Sequence, residues 1–287
     1  MTSRQSLLFV FGLGYSAQQL AKRLDPAGWR VFGTVRTAEK AAQLNARGIA
    51  AEVWAGEGAP EVPDGAHWLV TLPPGLGGCP AALAAGRQAE TAASITYLST
   101  TGVYGDLAGG WAFEWSAAAP GSPRAVARVT AEDQWLEASD GRARLVRLPG
   151  IYGPGRSPFD RLRDGAAQRV VKPGQVFSRV HIDDIAGGLA ALLARPEARG
   201  VFHLCDDLPA PPQDVTAFAA ELLGLPAPPE VAIEAAGLSD MAMSFYAECK
   251  RVSNGRAKSA LGWRPLYPTY REGLAAILAA EGRLESP

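Results

Sequence analysis

The apolar residues of this chain fall into short runs separated by helix-patterned stretches. Leu7-Leu8-Phe9-Val10-Phe11 is a strand-length apolar run that breaks into Gly12-Leu13-Gly14. Leu20, Ala21 and Leu24 then recur at helical spacing, so the segment reads as strand, tight turn and amphipathic helix. The alternation continues. Strands are predicted at 29–36, 49–54, 67–71, 94–100 and 143–148. Helices are predicted at 38–47, ended by Gly48, at 81–93, and from an Ser122 N-cap with Pro123 in the first position to about Ala138. Strands alternating with helices require a parallel sheet with right-handed crossovers. The fold class is α/β, a Rossmann-type doubly wound parallel sheet.

From Pro149 the texture changes. Residues 150–155 are rich in glycine and proline, and prolines from Pro209 to Pro268 punctuate short helical stretches. The division expected is a dinucleotide-binding domain over 1–150 and a smaller substrate-binding region over 151–287. A strand near 201–204 returns from the latter to the sheet.

The glycine pair carries the first chemical expectation. Gly12 permits the turn, Gly14 lets a pyrophosphate approach the backbone, and Ala17 lets the helix pack on the strand, while the helix N-terminus offers free N–H groups and partial positive charge. A tight turn without a ligand is the alternative for the same residues. At the end of the second strand stand Thr34-Val35-Arg36, with no acid before Glu39. An acid there would bind a ribose hydroxyl, whereas Arg36 suits a 2′-phosphate, so NADP is favoured over NAD.

Composition narrows the rest. The chain has 287 residues and a net charge of −1, with no block of basic residues. No apolar stretch approaches the ~18 residues of a membrane span. Neither nucleic acid nor membrane is therefore an expected partner, and a small-molecule substrate is. Three scattered cysteines and three histidines provide neither a disulfide framework nor a metal site. A reducing, cytoplasmic setting is expected. Arg4 before the apolar run is reminiscent of a short leader, but the strand–turn–helix reading accounts for the same residues better.

Four further segments agree with one family. Ser99-Thr100-Thr101-Gly102-Val103-Tyr104-Gly105 closes the fifth strand. Arg147-Leu148-Pro149-Gly150-Ile151-Tyr152-Gly153-Pro154-Gly155 follows the sixth. Arg179-Val180-His181-Ile182-Asp183-Asp184 and Leu261-Gly262-Trp263-Arg264-Pro265 come later, in the matching order. Together with the glycine turn they resemble the extended short-chain dehydrogenase/reductase family, of the NAD-dependent epimerase/dehydratase kind. The resemblance implies a dinucleotide at the C-terminal edge of the sheet, held around Gly12, Leu13, Gly14, Tyr15, Ser16, Arg36, Thr71, Leu72, Pro73, Ser99, Thr100, Arg128, Pro149 and Ile151. It also implies pairing as a homodimer through the helices near 81–93 and 122–138.

The family's chemistry uses a Ser/Thr, a Tyr and a Lys four residues on. Thr100 stands at the first position. Arg124 and Arg128 stand where the Tyr and Lys would be, so the chain resembles an atypical branch lacking both. A guanidinium does not deprotonate in a protein, so neither arginine is a general acid or base; each can bind an anion or stabilise an oxyanion. The candidate catalytic residues are Thr100, Arg124 and Arg128. The bland alternative is an exposed stripe Arg124–Arg128–Glu132. Tyr104, Tyr152, Tyr246, Glu114 and Asp106 are weaker replacements for the missing acid, and Trp111 and Trp115 are expected as core anchors. The function expected is an NADP(H)-binding oxidoreductase, epimerase or dehydratase for a small hydroxylated substrate, nucleotide-linked ones included. The competing reading is a non-catalytic NADP(H)-binding sensor or scaffold.

Overall fold

The computed structural model describes residues 5–284; the outermost residues of the two regions expected from sequence lie outside it. The chain begins with β1 (Ser6–Phe11), α1 (Tyr15–Arg23), β2 (Trp29–Val35), α2 (Ala38–Asn45), β3 (Ala50–Val53), β4 (His67–Val70) and α3 (Pro80–Ala85). Next come β5 (Ser94–Thr100), β6 (Trp111–Ala112), α4 (Pro123–Ala138), β7 (Arg144–Leu148), β8 (Gly150–Tyr152) and α5 (Phe159–Arg163). Then follow β9 (Arg169–Val171), β10 (Arg179–His181), α6 (Ile182–Leu193), β11 (Gly200–His203), α7 (Pro212–Leu222) and β12 (Glu230–Ala232). The chain closes with α8 (Asp240–Tyr246), β13 (Arg251–Val252), α9 (Gly255–Leu261) and α10 (Tyr270–Leu284).

Seven strands form one parallel sheet in the order β11-β7-β5-β4-β1-β2-β3. The strand order reverses between β1 and β4. That switch point opens a crevice beyond the strands' C-terminal ends, where ligands bind in such sheets. The expected α/β doubly wound architecture is therefore what the chain forms, and β11 is the returning strand.

Alternation along β1 divides its side chains between two cores. Leu8 and Val10 pack with Leu13, Leu20, Leu44, Ile185 and Leu189 from α1, α2 and α6. Phe9 and Phe11 point to the other face, among Trp68 of β4, Ile95 of β5, Ala81 of α3 and Trp135 of α4. Trp68 and Trp135 meet edge-on at 6.1 Å, with Phe11 against both. A third cluster joins Tyr152, Phe159, Val215, Tyr270 and Leu274 in the C-terminal region.

Two local expectations change. The helix expected over 81–93 ends at Ala85 and tightens into a 3-10 turn over Gly86–Thr91. Gly86 is a poor helix-interior residue, and Ala138 of α4 lies 3.4 Å from where its Cβ would be. Trp111 and Trp115 are not core anchors, being 50% and 76% exposed. The strand β6 is only two residues long and turns Ala112 inward; Trp115 stacks flat on Phe113 at 4.9 Å instead.

Candidate functional site

The glycine turn is built by two different demands. Gly12 has φ +94°, and a Cβ there would lie 2.7 Å from Leu72 Cδ2 and 2.9 Å from Thr71 Oγ1. The fold itself requires this glycine. Its N–H donates to Thr34 Oγ1 at 3.0 Å, the next N–H, of Leu13, donates to the Thr34 carbonyl at 2.8 Å, and the Thr71 hydroxyl donates to the Gly12 carbonyl at 2.5 Å. Gly14 differs. It is exposed, its backbone is extended (φ −83°, ψ −165°), and a Cβ would meet nothing closer than 3.9 Å. The protein leaves this space empty.

Gly14 is also the N-cap of α1, so it provides no side-chain acceptor, and the first turn holds no acidic residue. The helix therefore turns its first N–H groups and partial positive charge toward the crevice without internal compensation. An anion completes such a terminus. Leu13 and Ser16 bury their side chains, so only backbone can meet a ligand there. Tyr15 is half-buried; its hydroxyl donates to the Pro154 carbonyl at 2.9 Å, and the Arg156 guanidinium lies 4.6 Å over its ring.

The sheet topology brings most of the other expected residues to the same edge. Thr71, Leu72 and Pro73 follow β4 and border Gly12. Arg36 follows β2, exposed and with no hydrogen bond or ion pair among the described residues. Ser99 and Thr100 end β5, and Pro149 and Ile151 follow β7. The Thr100 hydroxyl accepts the Gly102 N–H at 3.2 Å, capping the turn over Thr101–Tyr104.

The helix α4 starts as predicted, with Ser122 accepting the Ala125 N–H and Pro123 in the first turn. Arg124 is exposed. Arg128 Nη1 donates to the Tyr97 hydroxyl at 2.9 Å and the Leu98 carbonyl at 2.8 Å. The exposed charged stripe is not what forms, because Glu132 is 2% exposed and faces the sheet. Its carboxylate takes a bidentate pair from Arg147 (3.0 and 2.5 Å) and the Ser99 hydroxyl at 2.5 Å.

Arg147 also donates to the Tyr104 hydroxyl at 2.8 Å. Tyr104 lies 2.6 Å from His203 Nε2, and His203 Nδ1 lies 2.9 Å from the Ser253 carbonyl. That carbonyl can only accept, so Nδ1 carries the proton and Nε2 accepts from the phenol. Burial pushes His203 down to about 4, which keeps the ring neutral. The chain of contacts from Ser99 to Ser253 has a partner for each of these groups and buries the side chains of Ser99, Glu132, Arg147, Tyr104 and His203, so it braces the end of β5.

The weaker replacement acids are placed as follows. Tyr104 is fully buried in that network. Glu114 is buried and raised by burial, with its carboxylate toward the backbone N–H groups of His203 and Arg256. Asp106 accepts the Cys249 N–H at 2.7 Å and the Ala108 N–H at 3.1 Å, which hold it below the usual carboxylate range. Tyr152 and Tyr246 are raised, by burial first. Sequence reasoning missed the buried pairing of Arg147 with Glu132, and His203. For Arg147 the available signal was a charged residue inside an apolar strand: such residues are either paired or functional.

No protein-family model matches the chain. A conserved protein of unknown function from Silicibacter pomeroyi DSS is 45% identical, covers 96% of this chain and 99% of its own, and superposes with a TM-score of 0.89. A 3-diazoavenalumate denitrifying reductase from a Streptomyces species is 33% identical over 165 residues. The match spans about half of each, 52% of this chain and 52% of the reductase. The fold is shared with a human epimerase family protein solved with NADPH (TM-score 0.72, 16% identity, 96% and 99% coverage). It is shared too with a dTDP-glucose 4,6-dehydratase from Bacillus anthracis in complex with NAD (0.74, 13%, 98% of both chains). Among the described residues no helix is long and apolar enough to cross a membrane, and no group of metal-ligating side chains forms.

Proposed function

The chain belongs to the family of the conserved Silicibacter pomeroyi protein, and from that premise we propose that it binds NADP(H) and serves as an oxidoreductase of the epimerase/dehydratase type for a small hydroxylated substrate. One observation carries the reading: the uncapped N-terminus of α1 at the switch point, with open space over Gly14. The residues present fit a dinucleotide. Backbone N–H groups of the first turn of α1 receive its diphosphate, Arg36 pairs with a 2′-phosphate, and the segments Thr71–Pro73 and Pro149–Ile151 flank it. The reductase named among the relatives supports the oxidoreductase reading.

The bound dinucleotide supplies the hydride. Thr100 orients a substrate carbonyl or hydroxyl at the end of β5. The guanidinium of Arg124 favours negative charge developing on that oxygen and cannot deliver its own proton, so solvent water supplies the proton that completes the reduction. Arg128 fixes the end of β5 through Tyr97 and Leu98, and its remaining N–H groups would hold the cofactor's ribose.

The test is twofold. NADPH titration by fluorescence should give tighter binding than NADH. Absorbance at 340 nm with a panel of carbonyl compounds should show oxidation that Thr100→Val slows. The arginines at the Tyr and Lys positions favour a second reading, a non-catalytic NADP(H) sensor. NADPH binding without turnover across the panel would select it.

A further inference from the structure

A second polar cluster lies on the β7 side of the crevice, apart from the glycine turn. Arg179 is in register with Gly150, directly after the end of β7, and its Cγ lies 3.9 Å from where a Gly150 Cβ would be. Asp206 stands three residues past β11, and its N–H donates to the Arg179 carbonyl at 2.8 Å. Both groups thus sit at the C-terminal edge of the sheet, beside the Pro149–Ile151 segment. Tyr152, and Tyr246 and Tyr270 from the C-terminal region, stand within electrostatic reach of the Arg179 guanidinium.

The two side chains do not pair. Among the described residues Arg179 makes no ion pair within 4 Å; Nη1 donates to the Phe177 carbonyl at 2.8 Å and the Ala210 carbonyl at 3.1 Å, and Nε and Nη2 make no hydrogen bond. Asp206 is 2% exposed, and neither carboxylate oxygen has a hydrogen-bond partner. Only the backbone N–H groups of Leu208 and Arg179 point toward it, outside full hydrogen-bond geometry. The guanidinium is left with a free edge, and a ligand group with two oxygens satisfies that edge.

We propose that Arg179 and Asp206 form a substrate subsite that receives a carboxylate group. The inference rests on the dinucleotide reading, because it is the hydride-carrying end of that cofactor that would lie beside Pro149–Ile151. The free Nε–Nη2 edge is the fork that a carboxylate meets with two parallel bonds. Burial raises Asp206 to about 8, so at neutral pH its carboxyl is protonated and leaves the Arg179 charge unopposed. The site then holds a single positive charge, which matches a monoanion. A phosphate dianion needs a second cation, and the nearby Lys258 is already paired with Asp207. The ionisable groups facing Asp206 are Arg179, Tyr152, Cys205 and Asp207, the last also held by Asn254 Nδ2 at 2.6 Å.

The experiment uses benzoate, benzamide and phenyl phosphate as probes, titrated by NMR into the NADPH-saturated protein. At pH 6.5 benzoate should bind at least tenfold more tightly than benzamide, and Arg179→Met should equalise the two. In the wild type the preference should fall away by pH 9 as Asp206 ionises. In Asp206→Asn, which keeps the shape and a donor, it should persist. Should Arg179→Met fail to fold, the Asp206→Asn pH profile carries the test. Equal binding of benzoate and benzamide, tighter binding of phenyl phosphate, or no binding of any probe overturns the proposal. NADPH affinity is measured separately on each protein. If the wild type binds no NADPH the cofactor reading fails instead, and the probe comparison is then read on the unliganded protein.

Discussion

Replacing Gly14 with valine separates a ligand's need for glycine from the fold's need. At Gly14 the backbone is extended, a conformation valine adopts freely, and the new Cβ would meet the Gly12 carbonyl and Thr71 Oγ1 at an ordinary 3.9 Å. The expected loss of stability is that of a poorer N-cap, about 0.5–1 kcal/mol, which moves Tm by roughly 1–4 °C in a chain of this size. Cofactor binding should suffer far more. The branched side chain would occupy the space a diphosphate needs over the first turn of α1. Losing two hydrogen bonds to a charged group costs about 1.5–3 kcal/mol each, so NADPH affinity should fall by a factor on the order of 10² to 10⁴. Fluorescence titration reads the affinity, and differential scanning fluorimetry the stability. The control is Gly12→Ala, where φ +94° and the 2.7 Å approach to Leu72 make the fold itself resist. That variant should lose Tm first. A Gly14→Val protein that keeps its Tm and binds NADPH within threefold of wild type would refute the assignment of the turn as a diphosphate site.

Arg36→Ala should weaken NADPH by about 10- to 100-fold, the worth of a charge-assisted hydrogen bond, and leave NADH unchanged; paired titrations read the ratio. Glu132→Ala leaves the Arg147 guanidinium buried without its carboxylate and should cost about 3–5 kcal/mol, read as a lowered denaturation midpoint. Asp206 has a folded value near 8, above that of an ordinary carboxyl, so its protonated form favours the folded state. That contribution is full at low pH and is lost as pH rises through 8. Between pH 6 and 8 the wild type should lose about 2 kcal/mol relative to Asp206→Asn, checked by urea denaturation at the two pH values.

Much of this fold could be read from periodicity because its signals are local. Leu7 to Phe11 followed by Gly12 and Gly14 names a strand, a turn and a helix start within one stretch of chain. Ser122-Pro123 names the start of α4 by cap chemistry alone. The miniature parallel pairs β6–β13, β8–β10 and β9–β12 escaped because each strand has two or three residues and meets a partner far away in sequence. No period can be read from so few positions. Trp111 and Trp115 misled for a related reason: large aromatics usually anchor a core, and only the long-range pairing of Ala112 with Val252 reveals which way the loop faces.

The charged residues show where a helical spacing stops being sufficient. Arg124, Arg128 and Glu132 follow one another at four-residue intervals, and that interval says only that they share a face. What the face meets changes along its length. At Glu132 it meets β5 and β7, where Ser99 and Arg147 satisfy the carboxylate. One turn back, Arg128 reaches the hydroxyl of Tyr97 and the carbonyl of Leu98. Another turn back, Arg124 is exposed. One face therefore grades from a buried ion pair, through a brace on the strand carrying Thr100, to an exposed cation. The internal partners of Glu132 and Arg128 hold α4 against β5, and this rigidity is what a cation at its N-terminal end needs if it is to act on charge developing near Thr100.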